Sequence, residues 1–291
     1  MDPAKVTTTA GADRHPRLIC APEQVFDVAG VNAALAQIDS TLEGAAQRAE
    51  IVAILRRAQQ AGRAAIAAGF AGAPFDARAM TSSYTYLTDQ LLRCVLWIST
   101  HILHPNPNPT EGERLAMIGV GGYGRGEMAP YSDVDLLFVI PYKATAWSES
   151  VIESTLYILW DLKLKVGHAT RTTDDCLRLG ADDFTIQTAL LEHRFIDGDA
   201  DLAAELDAQL KAELFSGAER DFIEAKLEER DARHLKQGER YVVEPNVKEG
   251  KGGLRDLHSL FWIAKYIHDV DRVADLVDIG VFRADEYDTF R

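Results

Sequence analysis

The chain places five glycines within eight residues shortly before two aspartates that open an apolar segment, and this spacing constrains its fold most. Residues 119–126 read GVGGYGRG, and Asp133 and Asp135 flank the first residue of the segment Val134–Ile140. The apolar and β-branched residues of that segment predict a buried strand. Alternate residues of a strand point to one face, about 6–7 Å apart along the backbone, so we expect both carboxylates to project together from one strand end.

Two carboxylates on one face repel each other and favour a bound cation. Two like charges about 4 Å apart repel by roughly 1 kcal/mol in water and about 4 kcal/mol near a protein surface. Carboxylate oxygens bind Mg²⁺ together with nucleotide phosphates, and they accept Mn²⁺ as well. Asp133 and Asp135 are therefore predicted to be metal ligands. The alternative is a tight glycine turn followed by two surface aspartates.

The glycines also satisfy the dinucleotide-binding pattern Gly-x-Gly-x-x-Gly, but their surroundings do not fit that fold. A dinucleotide-binding turn leads straight into a helix, and its acidic residue follows about 20 positions later. Here Pro130, Tyr131 and Ser132 lead into a strand that opens with two aspartates. Residues 250–252, Gly-Lys-Gly, lack the hydroxyl residue of a P-loop, and the chain has no His-Arg-Asp or Asp-Phe-Gly motif of a protein kinase.

Composition limits the class of protein. The 291 residues carry a formal net charge of −14, and 47% of them are hydrophobic. The length allows one large domain or two moderate ones, and the acidic balance argues against nonspecific binding to nucleic acid or to anionic membranes. Cys20, Cys94 and Cys176 are isolated, and no segment resembles a signal peptide or a membrane span, so we expect a cytoplasmic protein with reduced thiols.

Periodicity and composition divide the chain into three predicted parts. Residues 1–80 form a helical N-terminal region, residues 81–200 an α/β core, and residues 201–291 a helical region with a glycine-rich loop at residues 244–256. In the core, strands are predicted at residues 115–119, 134–140 and 166–171, with a helix N-cap at residues 172–175. The predicted helices cover residues 31–70 (one helix or a pair), 84–103, 148–163, 199–237 and 257–291. The chain ends inside helical sequence, which is compatible with a fragment of a longer protein.

Several motifs together carry a family resemblance. Val120-Gly121-Gly122, a spacer of about ten residues and Asp133-Val134-Asp135-Leu136 resemble the signature of the DNA-polymerase-β-type nucleotidyltransferase superfamily. Within that superfamily, the segments GYGRGEM (122–128), VGHATRT (166–172) and EPNVKEGKGGLRD (244–256) resemble the protein-PII uridylyltransferase family. The resemblance extends over roughly residues 85–275, and the last segment is its most specific part.

The resemblance implies a fold, an activity and a set of site residues. The fold is α/β (α+β), a small mixed-sheet core of polymerase-β type flanked by helical regions. The activity is transfer of UMP from UTP to a tyrosine of the PII nitrogen-signalling protein, with release of pyrophosphate and with Mg²⁺ held by the catalytic residues Asp133 and Asp135. The turn, the serine after it and the loop cations are expected to bind the nucleotide: Gly121, Gly122, Tyr123, Gly124, Arg125, Ser132, Lys248 and Arg255. The turn would do so through its backbone N–H groups.

Some roles stay open at this stage. Arg125 reaches a phosphate or pairs with Glu127 on the surface. The superfamily usually supplies a third carboxylate from a neighbouring strand, but residues 166–171 hold no acid. Asp161 and His168 are the candidates for this carboxylate or for a general base, and a structural role is the alternative for each. Oligomeric state is not predicted.

Two other functions compete with UMP transfer to PII. One keeps the chemistry and changes the nucleotide or the acceptor, as in adenylyl transfer to another protein or a small molecule. The other is a catalytically idle nucleotide-binding module, against which the intact Asp133 and Asp135 argue. Full-length members of the family also carry a metal-dependent hydrolase domain that removes UMP and two ACT domains that sense glutamine. We expect this chain to be too short for either, and His268 with Asp269 to be a chance dipeptide.

Overall fold

The computed structural model describes residues 17–39, 41–236, 246–270 and 272–290. These residues divide into two units. The first holds the described residues up to Cys176 together with Glu192–Leu206, and the second holds Leu177–Leu191 together with the described residues from Asp207 onward. The predicted three-part division at residues 80 and 200 stays a prediction. The first two residues of the predicted glycine-rich loop, 244 and 245, lie outside the described residues.

Helices form the early part of the first unit, and the sequence predicted most of them. They are α1 (Pro22–Val25), α2 (Val28–Leu35), α3 (Gly44–Gly72) and α4 (Ala77–Ile98). The predicted helix or helix pair at residues 31–70 is therefore a pair, α2 and α3. Asp27 caps α2 by accepting the N–H of Gly30, and Asp76 caps α4 by accepting the N–H of Ala79. A π-helical turn extends α4 to residue 103, where the Pro-rich loop ends it as predicted.

Four strands among the described residues form one mixed sheet in the first unit, as predicted. The strands are β1 (Ala116–Gly119), β2 (Val134–Ile140), β3 (Val166–Thr172) and β4 (Arg194–Gly198), and their order is β3-β2-β1-β4. β1 pairs antiparallel with both β2 and β4, whereas β2 and β3 are parallel. The helical turn α5 (Gly121–Gly124) follows β1, and helix α6 (Ala146–Asp161) makes the crossover that the parallel pair requires. The first three strands were predicted, and β4 was not.

Strand β2 is covered on both faces, which explains its almost unbroken apolar sequence. Val134, Leu136 and Phe138 belong to the main core, which also draws on residues of α3, α4 and α6. Leu137 and Val139 are buried on the opposite face. The polar exception is Asp135 near the start of the strand, where it is half-buried. The core therefore fixes the strand from which the two aspartates project.

The remaining described elements are helical, but two predicted helices are interrupted. The helices are α7 (Thr173–Asp182), α8 (Phe184–Leu191), α9 (Ala200–Gln209), α10 (Glu219–Lys236), α11 (Leu254–His268), α12 (Asp275–Asp278) and α13 (Ala284–Phe290). The N-cap predicted at residues 172–175 is present, because Thr172 Oγ1 accepts the N–H of Asp175 and donates to its carboxylate at the start of α7. One helix over residues 199–237 was wrong, because a π-helical turn (Leu210–Leu214) and then a break containing Gly217, with φ +80°, separate α9 from α10. One helix over residues 257–291 was also wrong, since α11 begins at Leu254 and two short helices follow it.

The second unit has a small aromatic core of its own. Phe222 of α10 stacks on Tyr266 of α11 with ring centroids 4.3 Å apart, and Leu191 and Trp262 complete the cluster. The hydroxyl group of Tyr266 donates to the carbonyl oxygen of Leu214 at 3.0 Å. Among the described residues, no helix has both the length and the apolar character needed to cross a membrane.

Candidate active site

Asp133 and Asp135 lie at the end of β2 that follows the glycine turn. Asp133 directly precedes β2 and Asp135 is its second residue, so strand alternation directs both side chains to one face. Burial, followed by the charge of Asp133, raises the pKa of the Asp135 carboxyl group. Asp133 is exposed, and the Nζ atom of Lys165 lies 3.8 Å from its Oδ1 atom. The two carboxylates are thus close enough for the charge of Asp133 to raise the pKa of Asp135, as expected of two ligands of one cation.

The carboxylate of Asp135 occupies space that two glycines leave open. Gly167 of β3 is the register partner of Asp135, and a Cβ atom at Gly167 would lie 2.6 Å from Asp135 Oδ1. A Cβ atom at Gly121, in the glycine turn, would lie 3.8 Å from Asp135 Oδ2. Asp135 is therefore adjacent to the turn, and a side chain at residue 167 would displace its carboxylate.

The glycine turn is a single turn of helix, α5, rather than an irregular loop. Gly121 has a φ of +55°, a left-handed conformation that favours glycine. The first N–H groups of a helix have no acceptor within it, so the N–H groups of Gly121, Gly122 and Tyr123 can serve an anion. The N–H of Gly124 instead donates to the carbonyl oxygen of Val120 at 3.1 Å. Of the four N–H groups predicted to bind the nucleotide, those of Gly121, Gly122 and Tyr123 thus do not donate within the helical turn.

The side chains of Tyr123 and Arg125 contact the protein interior. Tyr123 is 1% exposed, and its hydroxyl group donates to Asp89. Burial, followed by the charge of Asp89, raises the pKa of Tyr123 well above its usual value. The Nη1 atom of Arg125 lies 2.5 Å from Oε2 of the buried Glu192, so Glu127, one of the two alternatives for Arg125, was the wrong ion-pair partner. Tyr123 can offer a ligand only its backbone, and Arg125 would have to leave an existing ion pair to reach a phosphate.

Ser132 closes the turn that leads into Asp133. Its N–H donates to the carbonyl oxygen of Ala129 at 3.1 Å, and its Oγ atom accepts the N–H of Ala129 at 3.0 Å. The residue is exposed, and the hydroxyl hydrogen is not used by either contact. Ser132 therefore supports the local backbone and still has a donor for a ligand.

His168 does not lie beside the aspartate pair. In the parallel register His168 is the partner of Leu136, which places its side chain on the face of the sheet opposite to Asp135. There its ring centroid lies 6.1 Å from that of Trp160. The residue of β3 that pairs with Asp135, on the same face, is Gly167, one residue earlier. The placement of His168 at the expected position of a third carboxylate was therefore wrong.

Asp161 has a different partner. It is the last residue of α6, and Arg48 Nε lies 3.6 Å from its Oδ2 atom. Within the described ranges, no group of three or more His, Cys, Asp or Glu side chains is arranged to hold a metal ion. Asp133 and Asp135 are consequently a two-carboxylate set. His268 and Asp269 form a helix end, where Asp269 adopts the left-handed conformation that terminates α11.

Lys248 and Arg255 belong to the second unit, where the glycine-rich loop is held by local contacts. The Lys248 N–H donates to Asn246 Oδ1 at 3.0 Å, and its carbonyl oxygen accepts the N–H of Arg255 at 2.9 Å. The Arg255 guanidinium lies 5.5 Å from the ring centroid of Trp262 and 3.4 Å from Oε1 of Glu249. The side chain of Lys248 is exposed. Binding of UTP by these two residues stays a prediction.

The sequence reasoning missed the residues that hold the turn. Asp89 lies in the apolar pattern of α4, and Arg194 begins β4, a strand that was not predicted. Neither has a sequence signal that links it to the turn. Gly167 did have a signal, because it lies in the recognised segment VGHATRT. Its role follows only from the register of β3 against β2.

The chain is similar in sequence to two family models and to curated proteins. Residues 221–291 match the family model described as GlnD PII-uridylyltransferase, and residues 7–167 match the model described as glutamate-ammonia ligase adenylyltransferase. A bifunctional uridylyltransferase/uridylyl-removing enzyme of Ruegeria pomeroyi is 62% identical over 267 residues, which are 91% of this chain and 29% of that protein. An enzyme of the same name from Cereibacter sphaeroides is 50% identical over 100% of this chain and 32% of its own length.

The chain spans 29–32% of the length of these two curated relatives. The region aligned with the second relative covers the whole chain and so contains the turn, the aspartate pair and the glycine-rich loop. The mixed sheet and flanking helices also agree with the fold that the motifs implied. The chain therefore belongs to the protein-PII uridylyltransferase family.

Proposed function

We propose that this chain transfers UMP from UTP to a tyrosine hydroxyl group of the PII signal protein and releases pyrophosphate. The observation that carries the proposal is the position of Asp135 and Asp133, two neighbouring carboxylates beside a turn with free backbone N–H groups. The names of the relatives, which include uridylyltransferase, support the nucleotide and the type of reaction. The family model that matches residues 221–291 supports PII as the acceptor.

Asp133 and Asp135 suit a magnesium ion that is bound by protein carboxylates and nucleotide phosphates together. Mg²⁺ in such sites is bound by one or two carboxylates, with phosphate oxygens and water completing its octahedral shell. Asp133 and Asp135 provide this number, and the pKa of Asp135 is raised by its burial and then by the charge of Asp133, two effects that a bound cation would oppose. Mn²⁺ would fit the same oxygen ligands. When bound, the ion supplies positive charge to the transferring phosphoryl group.

The other residues of the site act on the triphosphate. The N–H groups of Gly121, Gly122 and Tyr123 would donate to its phosphate oxygens, with Ser132 as a further donor. In the transfer, a bond forms from the tyrosine oxygen to the α-phosphorus, the bond from that phosphorus to the leaving pyrophosphate oxygen breaks, and the proton of the tyrosine hydroxyl group passes to solvent. Fixed donors of this kind stabilise charge that develops on phosphate oxygens without having to reorganise during the reaction.

The test compares substitutions that preserve side-chain size. Asp133→Asn and Asp135→Asn should each lower transfer of labelled UMP to PII by at least about 100-fold, because each removes a charge that holds the ion. The matched control is Asp161→Asn, which alters an aspartate paired with Arg48 and should retain transfer. Thermal unfolding of all variants separates loss of the site from loss of the fold. Near-normal transfer by either site variant would contradict the proposal.

Adenylyl transfer is the second candidate, and it rests on the match of residues 7–167 to the adenylyltransferase model. The same assay with ATP labelled at the α-phosphate distinguishes the two nucleotides. Preference for ATP over UTP would favour this candidate. Binding of either nucleotide with Mg²⁺ but no transfer to PII would favour an idle regulatory module.

A further inference from the structure

Arg194 makes a set of contacts that converge on the glycine turn. Its Nη1 and Nη2 atoms lie 2.7 and 3.0 Å from the two carboxylate oxygens of Asp89. Its Nε atom donates to the carbonyl oxygen of Gly124 at 3.1 Å, and Nη2 lies 3.4 Å from that of Tyr123. The guanidinium also lies over the ring of Tyr123, 5.3 Å from its centroid. One planar group thus connects a helix, a strand and the backbone of the turn.

Helix α4 presents a polar row to the same region. Thr85, Asp89 and Arg93 are spaced at i, i+4 and i+8, so they lie on one side of the helix. Thr85 Oγ1 accepts the N–H of Met128, just after the turn, at 3.2 Å. Asp89 accepts the hydroxyl group of Tyr123 and binds Arg194. Arg93 Nε donates to a carbonyl oxygen of β4 at 3.0 Å. Helix α4 therefore holds the turn and β4 together.

The opposite side of the turn leaves it little room to shift. A Cβ atom at Gly124 would lie 1.8 Å from the carbonyl oxygen of Glu192, so the two backbones are in close contact. The same glutamate binds Arg125 through its side chain. The carbonyl oxygens of Tyr123 and Gly124, at the end of α5, accept from Arg194, while Gly121 at its start is adjacent to Asp135: a Cβ atom there would lie 3.8 Å from Asp135 Oδ2. The contacts at one end of this single turn thus determine where the donors at the other end point.

We propose that Arg194, held by Asp89, is a positioning residue that orients the N–H groups of the glycine turn toward the triphosphate of the bound nucleotide. This inference rests on the proposed function for its ligand. Arg194 itself contacts neither the nucleotide nor the metal; it acts through the carbonyl oxygens of Tyr123 and Gly124. Its substitution should weaken nucleotide binding without removing any group that contacts the nucleotide.

The experiment compares two Arg→Lys variants. Each loses a forked arginine–aspartate contact, one beside the glycine turn and the other at the far end of β4. Arg194→Lys retains the charge but loses the planar fork. Arg114→Lys is the control: Arg114 makes a similar forked contact, with Asp199 at 2.8 and 3.1 Å, at the other end of β4. UTP affinity is measured with Mg²⁺ by equilibrium binding, and thermal unfolding is measured in parallel. Hydrogen exchange of the amides at residues 121–126 reports the order of the turn without any nucleotide.

For Arg194→Lys we expect the dissociation constant of UTP to rise about tenfold, which corresponds to about 1.4 kcal/mol of binding free energy. Exchange at residues 121–126 should become faster, and the KM for PII should stay unchanged. Arg114→Lys should leave UTP affinity and this exchange unchanged, whatever its effect on thermal stability. Tyr123→Phe removes one hydroxyl contact with Asp89 and should give a smaller change in the same direction, which provides a milder variant if Arg194→Lys does not fold.

Two results would overturn the inference: unchanged UTP affinity in folded Arg194→Lys, or equal loss of affinity in both lysine variants. Failure of the wild-type chain to bind UTP with Mg²⁺ would instead contradict the proposed function. In that case the exchange measurement still decides whether Arg194 orders the turn. Unchanged exchange at residues 121–126 in Arg194→Lys would then reject the positioning role.

Discussion

Gly167→Ala is the substitution for which this structure gives the sharpest expectation. The methyl group would be placed 2.6 Å from Asp135 Oδ1 and 3.8 Å from Asp135 Cγ. Protein Cβ atoms essentially never approach another heavy atom within 3.0 Å, so the carboxylate must move by about 0.4 Å or more. Since the clash is with the end of a side chain, rotation of Asp135 can relieve it while the strand pairing stays intact.

The magnitudes separate an effect on the site from an effect on the fold. Turning an aspartate about 30° from its preferred rotamer costs roughly 0.5–1.5 kcal/mol. Replacing a strand glycine by alanine returns about 0.5–1 kcal/mol through backbone entropy. The two nearly cancel, so the free energy of unfolding should change by less than about 1 kcal/mol. A catalytic group misplaced by about 1 Å can cost about 100-fold in rate, so we expect transfer to fall by about 10- to 100-fold.

The assay follows UMP transfer to PII as a function of Mg²⁺ concentration, alongside urea unfolding. We expect Gly167→Ala to need more Mg²⁺ for half-maximal transfer as well as to be slower. Gly72→Ala is the control, because a Cβ atom at Gly72 meets nothing within 4 Å. Normal transfer with a normal Mg²⁺ requirement in Gly167→Ala would refute the argument that this glycine reserves space for Asp135.

Three further substitutions test the electrostatics of the site. The pKa of Asp135 is raised above 3.8 in the fold, so its ionised form destabilises the fold at neutral pH, and this penalty disappears as the pH falls through the raised pKa. Asp135→Asn should therefore raise Tm at pH 7 and lose this advantage toward pH 4 in calorimetry, and a lower Tm at pH 7 would contradict the sign. Glu192→Gln should cost about 3 kcal/mol in urea unfolding because it leaves a largely buried arginine unpaired, whereas the exposed-pair control Glu224→Gln should cost less than about 0.5 kcal/mol. His168→Ala should keep the pH–rate profile of transfer, since its side chain is on the other face of the sheet, and loss of one limb of that profile would show that it acts as a base.

Sequence reasoning worked where the pattern was local. The strand Val134–Ile140 was predicted because a run of seven residues is almost entirely apolar, and its alternation placed Asp133 and Asp135 on one face. The strand at residues 194–198 was missed because a short charged segment, RFIDG, becomes a strand only by pairing with β1. The break between α9 and α10 was missed although Gly217 lies in it, since a single glycine does not always end a helix.

The errors in the site had the same origin. His168 was assigned to the place of a third carboxylate because the segment was read as a strand without its register, and a shift of one residue reverses the face of every side chain. Glu127 was considered as the partner of Arg125 because it is nearby in sequence, whereas the partner in the structure, Glu192, lies 67 residues away. Local spacing identified the acids, and register and long-range pairing identified their surroundings.

By itself, the amino-acid sequence determined that two carboxylates would share one strand end near a turn of glycines, because backbone alternation and glycine's freedom act over a few residues. Only the tertiary structure decided what surrounds them: Gly167, whose lack of a side chain leaves room for the carboxylate of Asp135, and the pairing of Arg194 with Asp89, 105 residues away in sequence. Such contacts depend on how strands and helices pack. An ion pair or an omitted side chain has a large energetic effect only when it is buried, and burial exists only after the chain has folded.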